Sequence, residues 1–157
     1  MSVEAKNWDF SKTPEIYDTA YDYDVVSMYE GDIEVVMSSR QQMGCKWIGE
    51  NGWIWVTRGK FDASNKEWIA DGFDPGDTKV YHSPGHQRNF VDSVKSRKET
   101  VAPAENAHRA ITPGHIAYVS HELGRKLKWD PVKETIVGDD EAQKKLMALP
   151  FRDGYTI

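Results

Sequence analysis

One cysteine, Cys45, is all that the 157 residues contain, so no intramolecular disulfide forms and the fold holds by burial alone, in a reducing compartment. Flanked by Gly44 and Lys46 with no local base, Cys45 reads as a small buried apolar residue and not as a nucleophile. No apolar run approaches the length of a bilayer span, and the opening MSVEAKNWDF lacks the apolar core of a secretion signal. A cytoplasmic protein without a membrane partner is the expectation. No Gly-x-Gly-x-x-Gly follows a strand and no parallel βαβ unit is written, which leaves dinucleotide binding without its fingerprint. Basic clusters are short: Lys95-Ser96-Arg97-Lys98 and Arg125-Lys126 lie near helix ends in a chain of net charge −5. That excludes the cationic stripe of a nucleic-acid binder. Repeats and low-complexity tracts are missing too.

What is present is a soluble globular composition, 39% hydrophobic and 29% charged, at a length that favours a single domain over 1–157 with an N-terminal tail of about 1–16. The first half reads as β. From Tyr17 the residues alternate, with Tyr21, Tyr23, Val25 and Tyr29 on one face and Asp22, Asp24, Val26 and Met28 on the other. Glu30-Gly31-Asp32 is a turn signal, and Ile33–Met37 returns as the second strand of a hairpin. Lys46-Trp47-Ile48 and Trp53–Thr57 flank Gly49-Glu50-Asn51-Gly52, whose Asn-Gly pair favours positive φ at a tight turn.

Helical signals follow. Ser64 is a candidate cap for a turn carrying Trp68 and Ile69, Asp74-Pro75-Gly76-Asp77 is a loop, and Lys79-Val80-Tyr81 a short strand. Ser83-Pro84 supplies a cap and a first-turn proline to a helix with the stripe Phe90, Val91, Val94 and with Lys95 and Arg97 at its end. A second helix starts between Asn106 and Thr112 and runs to Leu123 with the stripe Ile116, Val119, Leu123, and Gly124 is placed for the left-handed terminus. Pro113 implies a turn or distortion before it. Asp130-Pro131 and Asp139-Asp140-Glu141 read as two further helix starts, the second leading to Leu146 and Met147.

The segment from Asn106 to Ala142, NAHRAITPGHIAYVSHELGRKLKWDPVKETIVGDDEA, is more specific than amphipathic patterning. A His-Arg-led helix runs into Leu123-Gly124-Arg125, Trp129-Asp130-Pro131 and Gly138-Asp139-x-Glu141-Ala142. Upstream stand Gly49-x-x-Gly52-Trp53-Ile54, Arg58-Gly59-Lys60-Phe61, His86-x-x-Asn89-Phe90-x-Asp92 and Ser96-Arg97-Lys98. In this order the motifs resemble the C-terminal domain of bacterial-type glucose-fructose oxidoreductase / inositol dehydrogenase / MocA proteins, from about Asp18 onward. The resemblance implies an α+β fold, an open-faced, mostly antiparallel sheet with helices on one face, agreeing with the β-then-α order read independently. It also implies a domain that follows a Rossmann domain, lines a sugar pocket and builds an oligomer interface. The family's Glu-Lys-Pro motif and the helix carrying its acid/base histidine have no counterpart in this sequence.

By the same resemblance, the polar pocket groups are His86, His108 and Arg109, set against local roles in which Asn89 caps or braces the sheet, His86 sits in a first helical turn and Arg109 pairs with an acid. The fork of Arg109 suits a hydroxyl or a carboxylate. His108, His115 and Glu122 do not suggest a metal site, because an i, i+7 spacing sets the imidazoles ~10 Å apart on a helix. Tyr21, Tyr23, Tyr29, Trp47, Trp53 and Trp55 fit a sheet core or interface more economically than sugar stacking. Asp22 and Asp24 read as a solvated face, not as a glycosidase pair.

The leading expectation is therefore the substrate-pocket and oligomerisation domain of an NAD(P)-dependent sugar or polyol oxidoreductase. No cofactor-binding, catalytic or metal residue is assigned in this chain, since hydride transfer needs cofactor, donor carbon and proton acceptor held together. Expected partners are further copies through the sheet, a separate Rossmann-domain polypeptide and a small sugar or polyol. The alternatives are a stand-alone sugar-binding or scaffolding module, and a cofactor-independent sugar enzyme using His86 or His108 as acid/base.

Overall fold

The computed structural model describes residues 1–10, 19–74, 76 and 81–147. In chain order these form β1 (Ser2–Phe10), β2 (Ala20–Met28), β3 (Glu34–Ser38), β4 (Cys45–Gly49), β5 (Gly52–Thr57), β6 (Lys60–Ala63), α1 (His86–Ser96), α2 (Ala104–Leu123), β7 (Leu127–Asp130), β8 (Thr135–Ile136) and α3 (Asp140–Met147). The expected α+β class is what the elements build. The chain divides into two compact units, Met1–Arg40 with Ala102–Ile157, and Gln41–Val101.

The first unit is a five-stranded antiparallel sheet in the order β3-β2-β1-β7-β8. Its central strand comes from the segment expected to be a tail of about 1–16. The reason lies in a bulge: register shifts between Ala5 and Asn7, so Val3 and Ala5 share a face with Trp8 across from Ser27, Val25 and Tyr23. Odd-numbered residues point inward before Lys6 and even-numbered ones after it, which hides the period of two. On β2 the expected alternation holds, with Val25 and Ser27 buried and Asp22 and Asp24 on the opposite face, although the proposed start at Tyr17 lies outside the described residues. Arg40 bridges those aspartates, Nε to Asp22 Oδ1 at 2.9 Å and Nη1 to Asp24 Oδ2 at 3.1 Å. The solvated face thus carries an ion-paired network, which holds the Asp22 carboxyl below its ordinary range through the Arg40 and Ser39 hydrogen bonds.

Helix α2 lies on the inner face, where Ile116, Ala117 and Val119 join Val3, Val25, Leu127, Trp129 and Ile136 in one core. It begins at Ala104, before the start expected between Asn106 and Thr112, and stays helical through Pro113, so of the turn or distortion expected there the turn is absent. The ring is buried on the packed side, and the Thr112 hydroxyl donates to His108 O at 2.7 Å within the same turn. Packing offsets the missing N–H. Gly124 adopts φ +62° and closes the helix as its position suggests. Buried Ser120 ties the unit together, accepting from Ala5 N at 3.1 Å beside the bulge and donating to Arg125 O at 2.7 Å.

Asp130-Pro131 starts no helix. Asp130 Oδ1 accepts from Val132 N and Lys133 N at 2.9 and 3.0 Å, the chemistry of a cap, but Glu134 takes φ +53° and returns the chain into β8. Asp139 does cap α3, its Oδ1 accepting from Ala142 N at 3.0 Å.

The second unit holds the three-stranded sheet β4-β5-β6. Strands β4 and β5 form the expected hairpin around Glu50-Asn51, with the positive φ of +145° on Gly52. A side chain at Gly52 would collide with Ser64, whose hydroxyl takes Trp53 N at 2.9 Å. Asn65, not Ser64, therefore caps the 3₁₀ turn Lys66–Ile69. Cys45 is exposed, against the buried role expected, because the face it shares with Trp47, Val56 and Phe61 is left uncovered. Trp53 and Trp55 are half-buried. Helix α1 begins after Gly85, two residues beyond the proposed Ser83-Pro84 start, since Ser83 Oγ accepts from Gly85 N and does not reach the helix. Its buried residues are Asn89 and Ser93, while Phe90, Val91 and Val94 are exposed. Asn89 braces the surrounding chain and not the sheet: Nδ2 donates to Tyr81 Oη at 2.8 Å and Oδ1 accepts from Val101 N at 2.9 Å. Lys79 and Val80 of the expected short strand lie outside the described residues.

Candidate functional site

The His-Arg pair stands in the second turn of α2, facing the β7–β8 turn. His108 Nε2 is 3.1 Å from Glu134 Oε1, and Arg109 Nη2 is 3.4 Å from the same oxygen. Arg109 Nε donates to Glu105 Oε1 at 2.7 Å, one turn back on α2, and Nη1 donates to Pro131 O. Each of the three guanidinium nitrogens thus faces an acceptor of its own chain. The local acidic partner foreseen for Arg109 is present twice over, and the fork is committed to holding the turn. His108, Arg109 and Glu134 are all exposed by about half, so the cluster is open to a ligand without being dry.

His86 opens α1 in the second unit and is exposed. The structure brings His108 and Arg109 together and describes His86 by itself. None of the three lines the cleft of about 530 Å³ at the end of α1, bounded by Tyr81, Lys95 and Lys98, or that of about 480 Å³ between Met1, Met28, Tyr29 and Trp129. Among the described residues no group of three or more His, Cys, Asp or Glu side chains is placed to hold a metal ion. His121 is engaged elsewhere, stacked on Trp8 with ring centres 5.4 Å apart.

Sequence reasoning missed Glu134. Its only distinguishing property is the left-handed backbone, which a glutamate rarely adopts and which no local pattern announces. Glu105 was missed as well, because the helix was expected to start no earlier than Asn106, whereas α2 begins at Ala104 and its i, i+4 spacing brings Glu105 to Arg109.

The rest of the signature is explained by contacts. Arg125, just past the Gly124 terminus, grips Asp139 through two bonds, Nε to Oδ2 at 2.9 Å and Nη2 to Oδ1 at 3.0 Å, and reaches Glu141 Oε2 at 2.7 Å. Trp129 fills the core, Asp130 shapes the turn and Ala142 is the fully buried residue of α3. The distant halves of the motif are physical partners: Leu-Gly-Arg reads Gly-Asp-x-Glu-Ala, and His-Arg reads Trp-Asp-Pro and Glu134.

Compared with known families, residues 50–157 match the Gfo/Idh/MocA group described as "Oxidoreductase family, C-terminal alpha/beta domain". The chain belongs to that family. Its match begins in the β4–β5 turn, later than the Asp18 suggested by the motifs, and takes in β5 to β8 and α1 to α3. No curated protein matches, and no solved structure does. Gfo/Idh/MocA proteins are NAD(P)-dependent oxidoreductases, and the part matched here is their C-terminal domain. Among the described residues, no helix is long and apolar enough to cross a membrane.

The Arg125–Asp139 pair gives the domain an acid-sensitive joint. The Arg125 hydrogen bond, with that from Ala142 N, holds the Asp139 carboxyl below the ordinary aspartate range, and the same contact pushes the Arg125 guanidinium up. A carboxyl lowered in the folded state contributes stability above its unfolded pKa and loses it as pH falls through the folded value. The melting temperature of the wild type should therefore fall as pH drops below about 4, and Arg125→Met should melt lower at neutral pH with a shallower acid decline. Circular-dichroism melts across pH check this; parallel acid declines in the two proteins would contradict it.

Proposed function

We propose that this chain is the substrate-pocket and oligomerisation domain of an NAD(P)-dependent sugar or polyol oxidoreductase, with His86, His108 and Arg109 on the sugar side. The observation that carries the reading is the family match over 50–157, which includes all three residues. Support comes from the placement of His108 and Arg109, exposed in the second turn of α2 and facing a β7–β8 turn held by Trp129 and Asp130. Hydride transfer is left to a Rossmann domain, because this sequence holds no glycine-rich phosphate loop to seat a dinucleotide. The outer face of the five-stranded sheet, with Val26, Met28 and Val36 between charged residues, suits contact with a second copy.

Ligand-dependent melting tests the reading, since a ligand that binds only the folded state raises the midpoint by mass action. A neutral hexose or polyol should raise the melting temperature of the wild type. Arg109→Ala should diminish that rise by more than it lowers the ligand-free midpoint. Equal sugar affinity in the variant would remove Arg109 from the site, and a monomer by light scattering would remove the interface.

A further inference from the structure

Resting on that reading, we infer that Glu134 is a positioning residue that fixes His108 as a hydrogen-bond acceptor through Nδ1, and that this corner takes an uncharged polyol hydroxyl in preference to a sugar acid or phosphate. The argument starts from proton inventory. An ionised carboxylate offers only lone pairs, so the 3.1 Å contact between Glu134 Oε1 and His108 Nε2 requires the proton on Nε2. In the neutral ring Nδ1 then carries the lone pair. It has no partner among the described residues, and the side chain is half-exposed, so the lone pair is open to a donor from outside.

The surrounding charge selects that donor. Glu105 and Glu134 bring two carboxylates and Arg109 one guanidinium, a local balance of −1, and Arg109 Nε and Nη1 are already bonded to Glu105 and Pro131. Lys133 is turned to Asp130, 4.0 Å away. An incoming carboxylate or phosphate finds net repulsion and an acceptor; a hydroxyl finds an acceptor. The left-handed φ of +53° at Glu134 is consistent with a placed carboxylate, because glycine would make the same turn without strain.

The test reads the ring directly. With ¹⁵N-labelled protein at about pH 8, above the ordinary imidazole range, His108 should show the Nε2–H tautomer, assigned against a His108→Gln variant. Glu134→Gln, whose amide both donates and accepts, should lose that preference and bind D-glucose or myo-inositol about tenfold more weakly, with an unchanged melting temperature. Glu134→Gly, which keeps the turn and relieves its backbone, should lose the preference while melting no lower than the wild type. In the wild type the two neutral probes should move the His108 resonances at concentrations at least about tenfold below those needed with D-glucuronate. An Nδ1–H tautomer, a preference that survives both variants, or equal or tighter binding of glucuronate would overturn the inference while leaving a sugar site in place. If the tautomer is as stated and no sugar moves the ring, the ligand assignment and the proposed function fall together, and the positioning role of Glu134 stands.

Discussion

Val3→Asp should strongly destabilise the five-stranded sheet. Val3 is fully buried in the central strand, opposite Ser27 on one side and Leu127 on the other. A carboxylate there would lie among Val25, Ile116, Leu127 and Trp129 in the core that α2 covers, and burying a charge uncompensated costs about 3–5 kcal/mol. Domains of this size hold only about 5–15 kcal/mol in total, so the variant should lose a large fraction of its stability and unfold at a much lower urea concentration. Urea titration followed by circular dichroism reads the loss, with Val3→Ile as the control that keeps the side chain apolar. A wild-type midpoint for Val3→Asp would mean that residues 2–10 form a dispensable tail, and the central place of β1 would be lost.

Trp129→Ala should cost about 3–5 kcal/mol, the range for emptying a large aromatic from a packed core. The indole is 7% exposed, pairs across the hairpin with Ile136 and lies in the cluster that includes Val3 and Ile116. Its effect should spread beyond stability, since Trp129 anchors the strand from which Asp130, Pro131 and Glu134 turn toward α2. Arg109 and His108 depend on that turn for their partners. A variant that is destabilised yet keeps the wild-type His108 ring environment would separate core from site and contradict the coupling. Measuring both on the same sample, by urea titration and by ¹⁵N spectra below the transition, decides it.

The two mutations mark where sequence reasoning succeeded and where it stopped. Helix α2 and its Gly124 terminus were legible because one stripe, Ile116, Val119 and Leu123, keeps helical spacing over two turns. The β2–β3 and β4–β5 hairpins were legible from alternation and turn residues. Strand β1 was not, since its bulge near Lys6 exchanges the parity of the inward residues. At Asp130 the local chemistry was right and the outcome different: an aspartate receiving the next N–H groups serves a cap and a tight turn alike, and the backbone of Glu134 decides between them. The exposed stripe of α1 shows the opposite limit, because Phe90, Val91 and Val94 have helical spacing without burial, while the polar Asn89 is the residue that goes inside. For the site, the adjacency of His108 and Arg109 was visible and an acidic partner for Arg109 was foreseen, but Glu105 was not named, since it lies before the helix start expected between Asn106 and Thr112. Glu134, 26 residues after His108, is brought in only by tertiary structure.

The central claim is that this chain shapes the sugar side of a Gfo/Idh/MocA oxidoreductase and leaves the dinucleotide to another domain. Titrating NADH into the chain, followed by cofactor fluorescence and by the melting temperature, tests it most directly. The account predicts no saturable binding and no shift in melting. Stoichiometric, saturable binding of NADH by these 157 residues would contradict it.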